Sequence, residues 1–187
     1  MNSPAAPDTT TMESTVLRTA RLVMTPPVMG DLADIAALWR EPEVYRHIGG
    51  RAFSEEDCWN RLLRDIGHWT TQGYGLWTVR MKATGTYAGV VGYADFRREM
   101  SPAFGDAPEG GWVMAPWTQR QGLASEAVGA ALAWVEAMLD PPRTVCMIAP
   151  DNQSSLRLAD RFGYAPYAAT QYKGAEVMLL ERASPGA

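Results

Sequence analysis

Apolar positions along this chain follow two rhythms, and the switches between them divide it into strands and helices. Thr15–Thr25 alternates apolar and polar residues as a half-buried strand does, and Pro26-Pro27 ends it. After that break the apolar residues Leu32, Ile35, Ala36 and Trp39 recur at helical spacing; Asp31 is placed to cap this helix and Pro42 to stop it. Ser54-Glu55-Glu56-Asp57 reads as the capped start of a second helix, whose stripe is Cys58, Leu62, Ile66 and Trp69. Two β-rich runs follow, Gly75–Lys82 and Tyr87–Phe96, and the four residues between them, with Gly85, have the length and content of a hairpin loop. Gly111–Ala115 is a further strand, ended by Pro116.

From Gly122 the helical rhythm returns, with Ala124, Ala127, Val128, Ala131, Val135 and Met138 on one stripe and small residues elsewhere, a composition suited to close packing on a sheet. Pro141-Pro142 stops it. A strand at Thr144–Ala149, a helix at Gln153–Phe162 and two closing strands at Tyr164–Thr170 and Glu176–Leu180 complete the pattern. The predicted order is β-α-α-β-β-β-α-β-α-β-β. This is an α/β (α+β) single domain over residues 15–182, with a mixed six- to seven-stranded sheet, about four helices and one β-α-β crossover. Residues 1–14 and 183–187 are small, polar and proline-bearing, and read as disordered tails.

Composition narrows the function classes. The formal charge of -4 provides no cationic excess for a nucleic-acid backbone, so no nucleic-acid partner is expected and a cationic substrate is electrostatically easier to accommodate. Cys58 and Cys146 form no CxxC pair, and His47 and His68 do not cluster with them; buried free thiols and no metal are expected. No apolar run nears the roughly 18 residues that span a bilayer, and the N-terminus lacks the pattern of a secretion signal, so a cytoplasmic protein with no membrane partner is expected.

The stretch richest in chemistry runs from Trp112, Val113 and Met114 through Gln119, Arg120, Gln121, Gly122, Leu123, Ala124 and Ser125. A strand enters a short loop, and the loop enters a helix at small residues. Unpartnered amides and the helix dipole make such a helix start suitable for a diphosphate. Gly122 and Ala124 equally allow close helix–sheet packing, and spacing alone does not separate these readings. Neither a Walker loop nor a three-glycine dinucleotide fingerprint is present.

Taken together, Gln119-Arg-Gln-Gly122-Leu-Ala124, Glu109-Gly-Gly-Trp112, and Asn152-Gln-Ser-Ser155 followed by Arg161-Phe162-Gly163-Tyr164 resemble the GCN5-related N-acetyltransferase (GNAT) family. The branch they are most similar to is that of the ribosomal-protein alanine acetyltransferases, the RimJ/RimL type. Arg21-Leu22 and Trp39-Arg-Glu-Pro42-Glu-Val44 look like that branch too. The resemblance implies an acetyl-CoA-dependent N-acetyltransferase that modifies a primary amine, on a protein N-terminus or a small molecule, by direct attack in a ternary complex. It implies that Arg120–Ser125 offer amides to the coenzyme diphosphate. It also implies that the strand at Trp112–Met114 splays from that at Val145–Ile148, so that the pantetheine arm pairs with the free edge as an added strand would. Homodimers are common in the branch. A catalytically silent acyl-CoA-binding or sensor domain is the alternative.

Asn152, three residues before Ser155, is a good helix cap, and the resemblance implies that the same asparagine touches pantetheine while Ser155 lies near the sulfur. An alkyl amine is mostly protonated at neutral pH, so a base is required before attack. The family pattern maps that base onto Glu109, acting through water; the other reading of Glu109 is a solvated strand-end carboxylate. A backbone amide such as that of Met114 is placed to stabilise the oxyanion. Where many relatives have a tyrosine acid this chain has Ala159, which leaves Ser155, water or unassisted thiolate departure. The resemblance implies that segments supplying Trp39, Tyr45, Tyr93 and Asp95, with His47, Trp69, Tyr74, Trp77, Tyr167 and Tyr172, surround the acceptor; the first four are the candidate acceptor-binding residues, and the other reading of most of these side chains is core packing. Asp95 is the acid best suited to hold an ammonium group.

Overall fold

A computed structural model describes residues 15–184, so the expected tail at 1–14 lies outside the described residues, as does most of that at 183–187. The strands are β1 (Leu17–Arg18), β2 (Leu22–Thr25), β3 (Leu76–Met81), β4 (Tyr87–Ala94), β5 (Glu109–Met114), β6 (Arg143–Ile148), β7 (Ala165–Tyr172) and β8 (Ala175–Ala183). The helices are α1 (Leu32–Trp39), α2 (Pro42–Tyr45), α3 (Glu55–Gln72), α4 (Leu123–Leu139) and α5 (Gln153–Arg161). All eight strands join one sheet in the order β1-β2-β3-β4-β5-β6-β8-β7. Its pairs are antiparallel except β5–β6, which is parallel because α4 crosses over between them.

Among the described residues the sheet therefore has eight strands rather than six or seven, and there are five α-helices rather than about four. The eighth strand arises because Thr15–Thr25 folds back on itself. The Thr19 amide donates to the Leu22 carbonyl and the Leu22 amide donates back to the Thr19 hydroxyl, which closes a turn and pairs β1 with β2. The added helix is the single turn α2, started by Pro42 at a position where its missing N–H costs nothing. Asp31 does not cap α1 with its side chain. Its carboxylate reaches back to the Val28 amide and across to Thr78 and Arg80 on β3, so it ties the helix start to the sheet. Ser54 caps α3 as expected, accepting from the Asp57 amide at 3.1 Å while Asp57 accepts from the Ser54 amide at 2.8 Å. The last strand runs to Ala183, beyond the boundary expected at residue 182, and the Ser184 amide donates to the Pro142 carbonyl.

Of the four buried clusters among the described residues, the two with the most residues pack helices onto the first half of the sheet. On one face α4 buries Leu123, Ala127, Val128, Ala131, Leu132 and Val135 against Leu22, Met24, Trp77, Val79, Val91 and Tyr93, while Met138 at the far end of the expected stripe is exposed. On the other, α1 and α3 bury Ile35, Leu38, Trp39, Cys58 and Leu62 over Tyr87 and Val90. Both cysteines are free and buried. Close approach of the middle strands depends on glycine: a Cβ at Gly92 would lie 2.4 Å from the Gly75 carbonyl oxygen. No helix among the described residues is long and apolar enough to cross a membrane.

Candidate active site

The sheet opens where its one parallel pair begins. β5 and β6 share a single register pair, Glu109 with Val145, supported by the Val145 amide donating to Pro108. Beyond it, Gly110–Met114 ladder only with β4, and their other edge faces a gap. A cleft of ≈ 380 Å³ occupies that gap. Trp112, Val113, Ile148, Asn152 and Ser155 line it at one side, and Trp39, Phe53, Arg61, Phe96, Arg98 and Glu109 also line it.

Asn152 holds the first turn of α5: its side-chain oxygen accepts from the Ser155 amide at 3.1 Å and the Ser154 hydroxyl at 2.9 Å. That leaves the Ser155 hydroxyl to accept from the Trp112 indole at 3.2 Å, which links α5 to β5 across the cleft and fixes where the serine oxygen sits. Ala159 is fully buried behind it and presents no acid.

The turn that leads from β5 into α4 is built for exposed amides. Arg120 and Gly122 both adopt left-handed backbone, with φ of 59° and 75°, and a left-handed residue reverses the chain so that successive N–H groups converge. The first intrahelical bond of α4 runs from the Glu126 amide to the Gly122 carbonyl, so helix geometry leaves the amides of Leu123, Ala124 and Ser125 ahead of it without intrahelical acceptors. The Leu123 side chain is buried in the core, so only its backbone serves the turn. Surrounding side chains brace the turn: Gln119 donates to Glu43, Gln121 to the Trp117 carbonyl, Arg21 to the Gln121 carbonyl, and Arg161 to the Ser125 hydroxyl.

Glu109 is buried, not solvated, with 4% of its surface exposed. Arg98 grips it with two bonds, Nε to Oε2 at 2.5 Å and Nη2 to Oε1 at 2.7 Å, and donates a third to the Tyr172 hydroxyl at 3.1 Å. Burial pushes the Glu109 carboxyl above its ordinary range, against the downward pull of Arg98. It is the sole carboxylate among the residues lining the cleft.

The expected acceptor residues divide. Trp39 lines the cleft, stacked on Phe53 with ring centroids 4.7 Å apart. Tyr45 is half-buried on α2 and is not part of the cleft wall. Tyr93 points into the core, where its hydroxyl meets that of Tyr164 at 2.9 Å, and Tyr164 in turn meets Thr144 at 2.7 Å. Asp95 pairs with Arg97 at 2.6 Å and lines not the cleft but an adjoining depression formed by residues 94–98, 103–107 and 109, which shares Phe96, Arg98 and Glu109 with it. Of the other aromatic and histidine candidates, His47 and Tyr172 line the cleft, whereas Trp77 is core. The sequence reading did not find Arg61, Arg64, Phe96 or Arg98; a helical face carrying Arg61 and Arg64 looks solvated in one dimension, and only the fold turns it inward.

The family model described as an acetyltransferase (GNAT) domain matches residues 21–165. The chain belongs to the GNAT acetyltransferase family. It is 35% identical to a GNAT-family acetyltransferase from Bordetella pertussis, over 90% of this chain and 99% of that one, with a TM-score of 0.80. The fold is also that of the ribosomal-protein-S5-alanine acetyltransferase from Vibrio fischeri (15% identity, 91% and 97% of the two chains, TM-score 0.71). A RimL ribosomal L7/L12 α-N-protein acetyltransferase, solved in complex with coenzyme A, shares it as well (17%, 90% and 97%, TM-score 0.72). This GNAT protein is thus an N-acetyltransferase with the RimJ/RimL-type enzymes among its structural neighbours.

Proposed function

We propose that the protein transfers the acetyl group of acetyl-CoA to a primary amine, both bound together in the β5–β6 cleft. The observation that supports this most is the conjunction of two features along one stretch of chain: β5 pairs with β6 at a single register position, and the segment that leaves β5 enters α4 through a left-handed turn. An extended chain of amides fits the first, because a free strand edge pairs with peptide-like groups. A diphosphate fits the second, because unpartnered N–H groups and the helix dipole favour negative charge. Acetyl-CoA carries both, and when bound it supplies the activated acyl carbon.

On this reading Arg120–Ser125 hold the diphosphate, Trp112–Met114 and Asn152 hold the pantetheine arm, and the Ser155 hydroxyl, set in place by Trp112, donates toward the sulfur. Glu109 takes the ammonium proton of the acceptor, directly or through water; a carboxylate whose proton affinity is raised by burial is better matched to that task than an exposed one. Neighbours named for acting on ribosomal proteins support a protein N-terminus as acceptor, and the small volume of the cleft is equally compatible with a small amine. The buried Ala159 supports a second reading, an acyl-CoA sensor that binds without turnover.

Calorimetric titration with acetyl-CoA and coenzyme A, paired with thiol release over a panel of amines, tests both. Binding with release supports transfer, and binding without release for any amine supports the sensor. Gly122→Ala probes the turn: a Cβ there would have room, at 3.6 Å from Arg21, but the φ of 75° strains any side chain, at about 1 kcal/mol. We expect coenzyme affinity to fall by roughly tenfold or more, with a stability loss near that figure.

A further inference from the structure

The cleft that lies beside the proposed thioester site is positively charged, although the chain as a whole carries a formal charge of -4. Arg61, Arg64, Arg98 and Lys173 line it, against Glu109 alone. Two of these cations are answered: Arg98 by Glu109, and Arg64 by Asp65 at 2.7 Å. Arg61 is not. Among the described residues it makes no hydrogen bond or ion pair, and its Nε is buried without an acceptor. What holds it is aromatic surface. Its guanidinium lies 4.0 Å from the Trp39 ring centroid and 5.0 Å from that of Phe53, the two rings themselves being stacked.

Leaving a cation this way costs free energy, since desolvation and the nearby Arg64 and Arg98 all disfavour its charge. Contact with the two rings also restrains the planar guanidinium in a way that a flexible lysine could not match, at a residue that lines the cleft. A planar fork of donors, unpaired, beside an apolar wall and within a cleft whose lining is mostly cationic is the geometry that recognises a carboxylate or similar oxyanion.

We infer that Arg61 binds an anionic group on the acceptor, so that the substrate is an amine that also carries a carboxylate or comparable oxyanion rather than a polyamine or a neutral amine. This rests on the acyl-transfer reading above, and reverses the expectation from net charge that a cationic acceptor fits best. The anion occupies the Arg61 side while the amine reaches towards Ser155 and Trp112. A free amino acid and a peptide with an acidic residue next to its N-terminus offer the same chemistry, and the test separates them.

Initial rates of thiol release from acetyl-CoA are to be compared for two matched pairs, L-phenylalanine with L-phenylalaninamide and Ala-Asp-Phe-amide with Ala-Asn-Phe-amide, with spermidine as the cationic probe. The anionic member of at least one pair should lead in kcat/KM by on the order of 10- to 100-fold, as a charged hydrogen bond allows, and mainly through KM. A lead confined to the first pair identifies a small acceptor, one confined to the second an acidic chain end. Arg61→Gln should reduce the ratio to about threefold or less, and Arg61→Lys, which keeps the charge but not the fork, should restore part of it. Thermal melts and coenzyme titration confirm that each variant is folded.

Equal or better use of the neutral partners, preference for spermidine, a ratio that survives Arg61→Gln, or no turnover of any probe by a protein that binds coenzyme A would each overturn the inference. If coenzyme A itself fails to bind, the acyl-transfer reading falls too; if it binds and no charge preference appears, only the assignment of Arg61 falls.

Discussion

Replacing Glu109 with glutamine separates its buried pairing with Arg98 from the proton transfer proposed for it. Glu109 is 4% exposed and its Arg98 partner 19%, joined by bonds of 2.5 and 2.7 Å. Removing one member of a fully buried pair costs about 3–5 kcal/mol. Here glutamine retains one acceptor oxygen, and Arg98 keeps its bond to Tyr172 and its position over the Phe96 and Tyr172 rings, at 4.7 and 5.0 Å. The expected cost is therefore about 2–3 kcal/mol, which lowers the melting temperature of a domain this size by roughly 4–12 °C. Loss of a general base costs about 10²–10⁴ in turnover, and that is the larger effect on rate. Because burial raises the Glu109 carboxyl, the acidic limb of the kcat–pH profile should lie above the ordinary carboxylate range and vanish in Glu109→Gln. Arg98→Met is the control, since it breaks the same pair but leaves the carboxylate. Full turnover by Glu109→Gln across pH 6–9, or equal rate losses in both variants, would refute proton transfer by Glu109 and leave the pair a structural brace.

Two further substitutions test the surrounding scaffold. Asn152→Ala removes the cap of α5 and should cost about 1 kcal/mol of stability, with a severalfold loss of coenzyme affinity if Asn152 also faces pantetheine; stability loss with unchanged affinity, by calorimetry, would assign it to capping alone. Glu126 ties the β1–β2 turn to α4 through the Thr19 hydroxyl at 2.6 Å, the Arg21 amide at 2.8 Å and the Arg21 guanidinium at 2.7 Å. Burial acts to raise its carboxyl, but these bonds outweigh it and hold the group below its ordinary 4.5. Its contribution is thus present in full above about pH 4.5 and is lost as pH falls through the folded-state value. Glu126→Gln should remove about 1 kcal/mol at pH 7 and flatten the acid limb of stability; an unchanged acid limb in urea titrations from pH 3 to 7 would contradict it.

The fold was legible in the sequence wherever a local signal suffices. Ser54 capping α3, the hairpin loop at residues 83–86 and the small-residue stripe of α4 depend on neighbours within a few positions, so periodicity and turn residues reveal them, and the β5–β6 crossover follows from the strand–helix–strand order. The turn proposed to hold the coenzyme stood out for the same reason: residues 119–125 form one continuous segment, and its glycine and small residues serve one backbone shape. By contrast, the division of Thr15–Thr25 into two strands hinges on a Thr19–Leu22 turn that is braced from 105 residues away, by Glu126. The charge and composition of the cleft were decided only in three dimensions. Tyr93 and Asp95 lie on the strand and flank expected to face the acceptor, yet pairing with Tyr164 and Arg97 turns them elsewhere, while Arg61 and Arg64 on α3 and Arg98 beyond β4 converge where the sheet opens. Net charge is a sum over the whole chain and says nothing of where the charges meet; burial and distance set the field within a cleft, and those come only from the tertiary structure.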